Sequence, residues 1–227
     1  MPAADHPQAA FWPLFGLVIR TPRLEIRLPR EDEFGALLQV IDDGIHDPAT
    51  MPFTNAFTDR PRPARDRESA QWWWRQRASW TSDKWSYAGA VHVDGRIVGV
   101  QDMMAEHFAQ VRSVTTGSWL GQAYQGQGLG REMREAMLHL AFEGLGAAEA
   151  HSGAFHDNAA SLGTSRAVGY TPNGEQRGAR RDGVDRLINL RIDQATWEER
   201  RRDDIEIIGL EGCLDMFVTP TPAGDPQ

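Results

Sequence analysis

Apolar residues alternate with charged ones at Leu17, Ile19, Leu24, Ile26 and Leu28, which predicts a strand interrupted near Pro22. The period then changes: Phe34, Leu37, Leu38 and Ile41 fall at helical spacing, so residues 31–43 read as a helix. A second helix is predicted over residues 64–80, with Ala70, Trp73, Trp74 and Arg77 on one side; residues 44–62 between them keep no period and form a loop. Two alternating runs, Tyr87–Val93 and Ile97–Met104, flank Asp94-Gly95, the pair favoured in a two-residue type I′ turn, and predict a hairpin. Val114–Leu120 is a further strand. The next helix carries Leu129, Met133, Met137, Leu140 and Ala141 on one stripe and stops around Gly144-Leu145-Gly146. A short strand (Glu149–Phe155), a short helix after Asn158 and strands near Gly174–Arg180 and Arg186–Ile192 follow. A charged C-terminal helix and a last apolar segment, Ile205–Val218, complete the pattern.

This order predicts an α/β (α+β) domain with a mainly antiparallel sheet, not the regular βαβ alternation of a doubly wound fold. It divides into an arm (1–16), one domain (17–192) and a C-terminal extension (193–227). With 227 residues, the chain can bury one sizeable core. One Cys leaves no disulfide framework and no multi-cysteine zinc site, so no metal is expected and a reducing, cytoplasmic setting is the default. No apolar run approaches the ~18 residues of a membrane helix. The formal net charge of −8 argues against bulk nucleic-acid binding and suits a cationic or amine-bearing partner.

The chemistry is concentrated in Gln125-Gly126-Gln127-Gly128-Leu129-Gly130-Arg131, between a strand and a strongly patterned helix. Glycines leave backbone N–H groups unshielded, and the helix start points its positive end at them, which makes a phosphate-binding device. A Walker loop would need a Lys-Ser/Thr pair that is missing here. A Rossmann fingerprint counted from Gly126 puts Arg131 where a third glycine belongs, although Glu149 sits at a suitable distance for a ribose.

Gln125-x-x-Gly128-x-Gly130 resembles the pyrophosphate loop of the GNAT N-acetyltransferase superfamily. Gly117-Ser118-Trp119-Leu120-Gly121 with Tyr124, Asn158-x-x-Ser161 with Gly169-Tyr170, and the opening Arg20-Thr21-Pro22-Arg23-Leu24 are similar to its RimJ/RimL-like branch. Together these elements cover roughly residues 17–192. The departures are the segment between Ser161 and Gly169, which lacks the usual Lys, and the C-terminal extension. The resemblance implies a GNAT fold, with a twisted sheet of six to seven strands flanked by helices and a C-terminal helical extension. It also implies acyl transfer from acetyl-coenzyme A, or a relative such as succinyl-coenzyme A, to a primary amine of a small molecule or protein. The loop amides from Gln125 through Gly126, Gln127, Gly128, Leu129 and Gly130 to Arg131 would receive the diphosphate. Ser118, Trp119 and Leu120 would pair with the pantetheine, Asn158 would contact its arm, and Ser161 would face the sulfur as proton donor. Asn158 and Ser161 also suit a plain helix cap.

The attacking amine must be neutral. Deprotonating a lysine-like amine near pKa ~10.4 at pH 7 costs about 4–5 kcal/mol, and an α-amine near ~8 about 1–1.5 kcal/mol. Asp102 and Glu106, on the strand after Asp94-Gly95, are candidate bases, and Glu106 is the choice; His107, His156 and His46 are alternatives. The acceptor pocket is expected from the loop carrying His46, Met51 and Phe53 and from the final hairpin. Cys213 lies far along the chain from these elements, so attack in a ternary complex is expected rather than an acyl-cysteine route. The Trp72-Trp73-Trp74 run is expected to pack in the core or in a homodimer. A sensor that holds acyl-coenzyme A without catalysis, and an interaction module built on the extension, are the rival readings.

Overall fold

The computed structural model describes residues 6–218. Alternation through residues 17–28 produces two short strands rather than one, β1 (Val18–Arg20) and β2 (Glu25–Arg27), because Pro22 falls in the turn that reverses the chain. Helix α1 (Phe34–Asp42) buries Phe34, Leu37, Val40 and Ile41, the spacing of one helical face. Helix α2 (Ala64–Ala78) is different: only Arg65 and Trp73 are buried along it. Strands β3 (Lys84–Val93) and β4 (Arg96–Glu106) form the longest hairpin of the first half, and its turn residues Asp94 (φ 48°) and Gly95 (φ 74°) are both left-handed, as a type I′ turn requires. After a single turn, α3 (Phe108–Val111), come β5 (Ser113–Leu120), the glycine loop, and α4 (Leu129–His139), which runs on as a π turn to Gly144. The remainder is β6 (Glu149–Phe155), α5 (Ala159–Val168), β7 (Thr171–Arg180), β8 (Gly183–Asp193), α6 (Gln194–Glu198), β9 (Glu206–Ile208) and α7 (Leu214–Phe217).

The strands make one sheet in the order β7-β8-β6-β5-β4-β3-β2-β1-β9. Nine strands replace the expected six to seven, because the first splits in two and β9 adds an edge beside β1. The extension is therefore not one long helix. Past the five residues of α6 it returns to the sheet, and Phe217 seats under Trp80 and Trp85. Period-two alternation on β3 divides the core between two faces: Ala88 and Ala90 meet α1 and Trp73, while Tyr87 and Val91 join the cluster that includes Met133 and Met137 of α4.

Among the described residues every pairing is antiparallel except β5 with β6. Those two are in register only where Ser113–Thr115 faces Glu149–His151. Beyond that point β5 follows β4 out to Leu120 and β6 follows β8 out to Phe155, so a wedge opens in the middle of the sheet. Hydroxyls hold its apex: Ser152 Oγ donates to the Thr116 carbonyl at 3.2 Å, and Thr116 Oγ1 lies 3.3 Å from the His151 carbonyl and 3.0 Å from the Tyr170 hydroxyl.

Candidate active site

Two cavities lie along the wedge. The outer one, about 860 Å3, runs from the glycine loop past Leu120 to α5; the inner one, about 590 Å3, lies between the sheet and α2. They meet at Pro52, Phe53, Ser118, Trp119, Arg134, Asn158 and Ser161, which line both.

The outer cavity is built around backbone. Gly126 (φ 73°) and Gly128 (φ 79°) are left-handed, and Gly128 is the residue from which α4 starts. Among the described residues no acceptor takes the backbone N–H groups of Gly126 to Arg131. The carbonyls, by contrast, are restrained. Arg23 donates to the Gln127 carbonyl at 2.9 Å, and its guanidinium is itself held by Glu132, which is buried in α4. The Gln125 amide bridges the carbonyls of Ile45 and Leu120 at 2.9 and 2.8 Å. A loop so fixed leaves its N–H groups unpaired beside the cavity at a helix start, where backbone donors and the helix dipole favour an anion. Leu129 is buried and the Gln127 side chain folds back to the Ala123 carbonyl, so these two offer backbone only. Gly130 needs no special conformation; a methyl there would meet only Leu120 Cδ1, at 3.7 Å.

Asn158 caps α5, its Oδ1 accepting the Ser161 N–H at 3.1 Å. The capping reading is thus present, and both residues also line the cleft.

The inner cavity takes Val100, Asp102 and Gly117 from the sheet, Trp72 and Trp73 from α2, and Phe53 and Phe57 from the loop. Trp73 packs on Phe34 with ring centres 4.9 Å apart, so its core role holds, while Trp74 is half exposed and donates to Glu31. The loop and the final hairpin do come together: Arg180 donates to the Met51 carbonyl and Arg181 to the Pro48 carbonyl, both at 2.7 Å.

Asp102 stands out electrostatically. Its Oδ1 is buried with no partner, and burial raises the carboxyl to about 6, against the opposing pull of the Gly117 amide and the Arg134 charge. Glu106, four residues on, is not brought to the cleft. It is exposed at the end of β4, pairs with Lys84 at 3.3 Å and lines neither cavity. Residues four apart on one strand share a face but lie more than 10 Å apart. Of the acceptor residues, Phe53 lines both cavities and His46 the outer one, where its ring nitrogens engage Thr58 Oγ1 and the Asp47 carbonyl at 2.7 and 2.8 Å. Met51 is 1% exposed and lines neither; it is core, tied to the hairpin through its carbonyl. Cys213 is also buried away from both cavities, its thiol pushed up to about 12 by burial.

Sequence reasoning missed Arg134. The signal was present: it adjoins Met133 and precedes Met137 by three, a charge on an otherwise apolar helix stripe.

A family model described as acetyltransferase (GNAT) domain matches residues 23–171. Among solved structures, RimJ of Mycobacterium smegmatis in complex with CoA-disulfide is 16% identical with TM-score 0.66, over 87% of this chain and 93% of its own. RimL, a ribosomal L7/L12 alpha-N-protein acetyltransferase in complex with coenzyme A, is 16% identical with TM-score 0.62, over 78% and 97%. The microcin C7 self-immunity acetyltransferase MccE, in complex with acetyl-CoA and AMP, is 14% identical with TM-score 0.58, over 76% and 93%. These likenesses concern the fold, and the family model covers most of the chain: this protein belongs to the GNAT acetyltransferase family.

Proposed function

We propose that the chain transfers an acyl group, acetyl in the first instance, from acyl-coenzyme A to a primary amine within a ternary complex. The observation that carries this is the junction of the cavities: a cradle of unpaired amides opens onto a chamber lined by Asp102, whose buried Oδ1 has no partner. The diphosphate sits on the N–H groups of Gly126 to Arg131, and the pantetheine lies along Ser118, Trp119 and Leu120, whose edge has no partner strand once the wedge opens. Asn158 meets the pantetheine through its amide nitrogen, since Oδ1 is used in capping.

The amine enters from the inner cavity and gives its proton to Asp102, which takes the place assigned from sequence to Glu106. Nitrogen attacks the thioester carbon and the oxyanion is met by a backbone N–H near Leu120; as the C–S bond breaks, Ser161 Oγ protonates the departing sulfur and takes in return the second proton that the nitrogen releases. A base near 6 suits a weakly basic amine. Proton transfer from an α-amine near ~8 to such a base is uphill by about 3 kcal/mol, and from a lysine near ~10.4 by about 6 kcal/mol. Acceptors of lowered basicity, such as protein N-termini and amines beside a carbonyl, are therefore favoured. Burial of Cys213 away from the cleft supports direct attack over an acyl-cysteine. Succinyl-coenzyme A presents the same thioester to the same amides, so the coenzyme grip does not separate it from acetyl-coenzyme A; the acyl pocket does.

The test is calorimetry with coenzyme A and acetyl-coenzyme A, then thiol release with a panel of α-amino and ε-amino acceptors. Binding with turnover of α-amines is expected; binding without any turnover would leave a sensor, and no binding would end the assignment.

A further inference from the structure

Resting on the reading above, the acyl group ends where the two cavities meet, and there the wall from α4, α5 and the wedge apex is polar. Its side chains at the junction are Ser118, Arg134, Asn158 and Ser161, facing Phe53 and Trp119. An acetyl methyl can pack on Phe53 and Trp119 but leaves the polar side of the junction unused, since apolar groups are stabilised by apolar contact alone.

Arg134 is the unusual member. It is 4% exposed; Nη2 donates to Ser118 Oγ at 3.2 Å, Nη1 donates to Ser165 Oγ, and Nε has no partner. Among the described residues no carboxylate lies within ion-pair distance of it, whereas the neighbouring Arg131 pairs with Glu135. A guanidinium stays charged in proteins, and a buried charge without a carboxylate paired to it at contact distance is costly. Serines supply hydrogen bonds but no charge. Asp102, which lines the same inner cavity, makes no ion pair with Arg134, although the two charges attract one another. The pocket thus holds a fixed cation whose remaining donor lacks an acceptor, and it opens to the position of the acyl chain.

We propose that this pocket takes acyl thioesters ending in a carboxylate, of the succinyl class, and that Arg134 receives that carboxylate as the residue setting acyl specificity. A charge-assisted contact in a buried site is strong enough to override the loss of apolar packing. The bonds made and broken are unchanged: N–C forms, C–S breaks, and the distal carboxylate takes no part.

The experiment compares succinyl-coenzyme A with butyryl-coenzyme A, which has the same chain length and no charge, by calorimetry on the full chain. At least tenfold tighter binding of the succinyl form is expected in the unaltered protein. Arg134→Gln should bring the two within twofold, and Arg134→Lys should restore part of the difference. The comparison in the unaltered protein stands even if a variant fails to fold. Equal affinities there, or a preference that survives Arg134→Gln, would overturn the proposal and leave Arg134 as a strut between β5 and α5. In that outcome acetyl-coenzyme A still binds; if no coenzyme A species binds at all, the acyltransferase reading itself has failed.

Discussion

Asp102 and Gly117 face one another across β4 and β5 so closely that a methyl group built on Gly117 would lie 2.6 Å from Asp102 Oδ1. The absence of a side chain at 117 is what leaves room for the Asp102 carboxylate beside it in the lining of the inner cavity. Gly117→Ala should therefore displace the carboxylate while leaving the glycine loop from Gly126 to Arg131 alone. A fall in kcat of tenfold or more is expected from thiol-release kinetics, about 1.4 kcal/mol of transition-state stabilisation, with coenzyme A affinity within twofold. In an Asp102→Asn background the same glycine change should cost far less, since coupled residues are not additive.

Asp102→Asn should separate activity from stability. As a base with a pKa of about 6, Asp102 gives a rate that rises with pH through that value, and the variant should lose both the rate and this limb. The stability effect runs the other way. The folded-state value lies above the unfolded value near ~3.9, so the contribution of this group is fullest below the unfolded pKa and is lost as pH rises through about 6. At pH 7 the Asn variant should melt no lower than the parent, and any advantage should disappear near pH 4. A carboxylate kept for structure would show a lower Tm on replacement.

Two glycines of the loop should differ in their response to substitution. Gly128 has φ 79° and packs 3.3 Å from Arg23 Nη2, measured from a methyl placed on it, whereas Gly130 has ordinary helical surroundings. Gly128→Val is expected to weaken coenzyme A binding at least tenfold in calorimetry, because a β-branched residue is strained there and obstructs the diphosphate. Gly130→Ala should stay within about threefold.

The parts of this protein that repeat a local pattern were readable from its residues. The alternation around Asp94-Gly95 predicts the hairpin, the stripe from Leu129 to Ala141 predicts α4, and the glycines mark the loop at its start, because each rests on contacts near in sequence. The inner cavity was less readable. Asp102 and Glu106 sit on one strand with the same side-chain parity, and only the third dimension shows that the wedge and α2 enclose the first and leave the second beside Lys84. Met51 was misplaced for a related reason: a loop without periodicity gives no signal of which side chains turn inward, and this one is sealed into the core by Arg180 from more than a hundred residues away. Arg134 broke the apolar stripe visibly, yet its meaning depends on the gap between β5 and β6, which no local pattern encodes.

The C-terminal segment is joined to the core by a definite set of contacts, and this makes its contribution measurable. Phe217 is 0% exposed and meets Trp80 and Trp85 edge-on, with ring centres 5.2 and 5.0 Å away. The indole N–H of Trp85 donates to the Phe217 carbonyl at 3.0 Å, and that of Trp80 to the Met216 carbonyl at 2.8 Å. Phe217→Ala removes a fully buried ring from an aromatic cluster, a change that costs about 3–5 kcal/mol. At roughly 2–4 °C per kcal/mol for a domain of this size, thermal unfolding followed by circular dichroism should shift down by on the order of 10 °C. Leu214→Ala, one turn earlier and 42% exposed, should move it by no more than about 2 °C. Equal and small effects from both would mean that the segment does not rest on β3 as described, and would return it to the status of a surface available to partners.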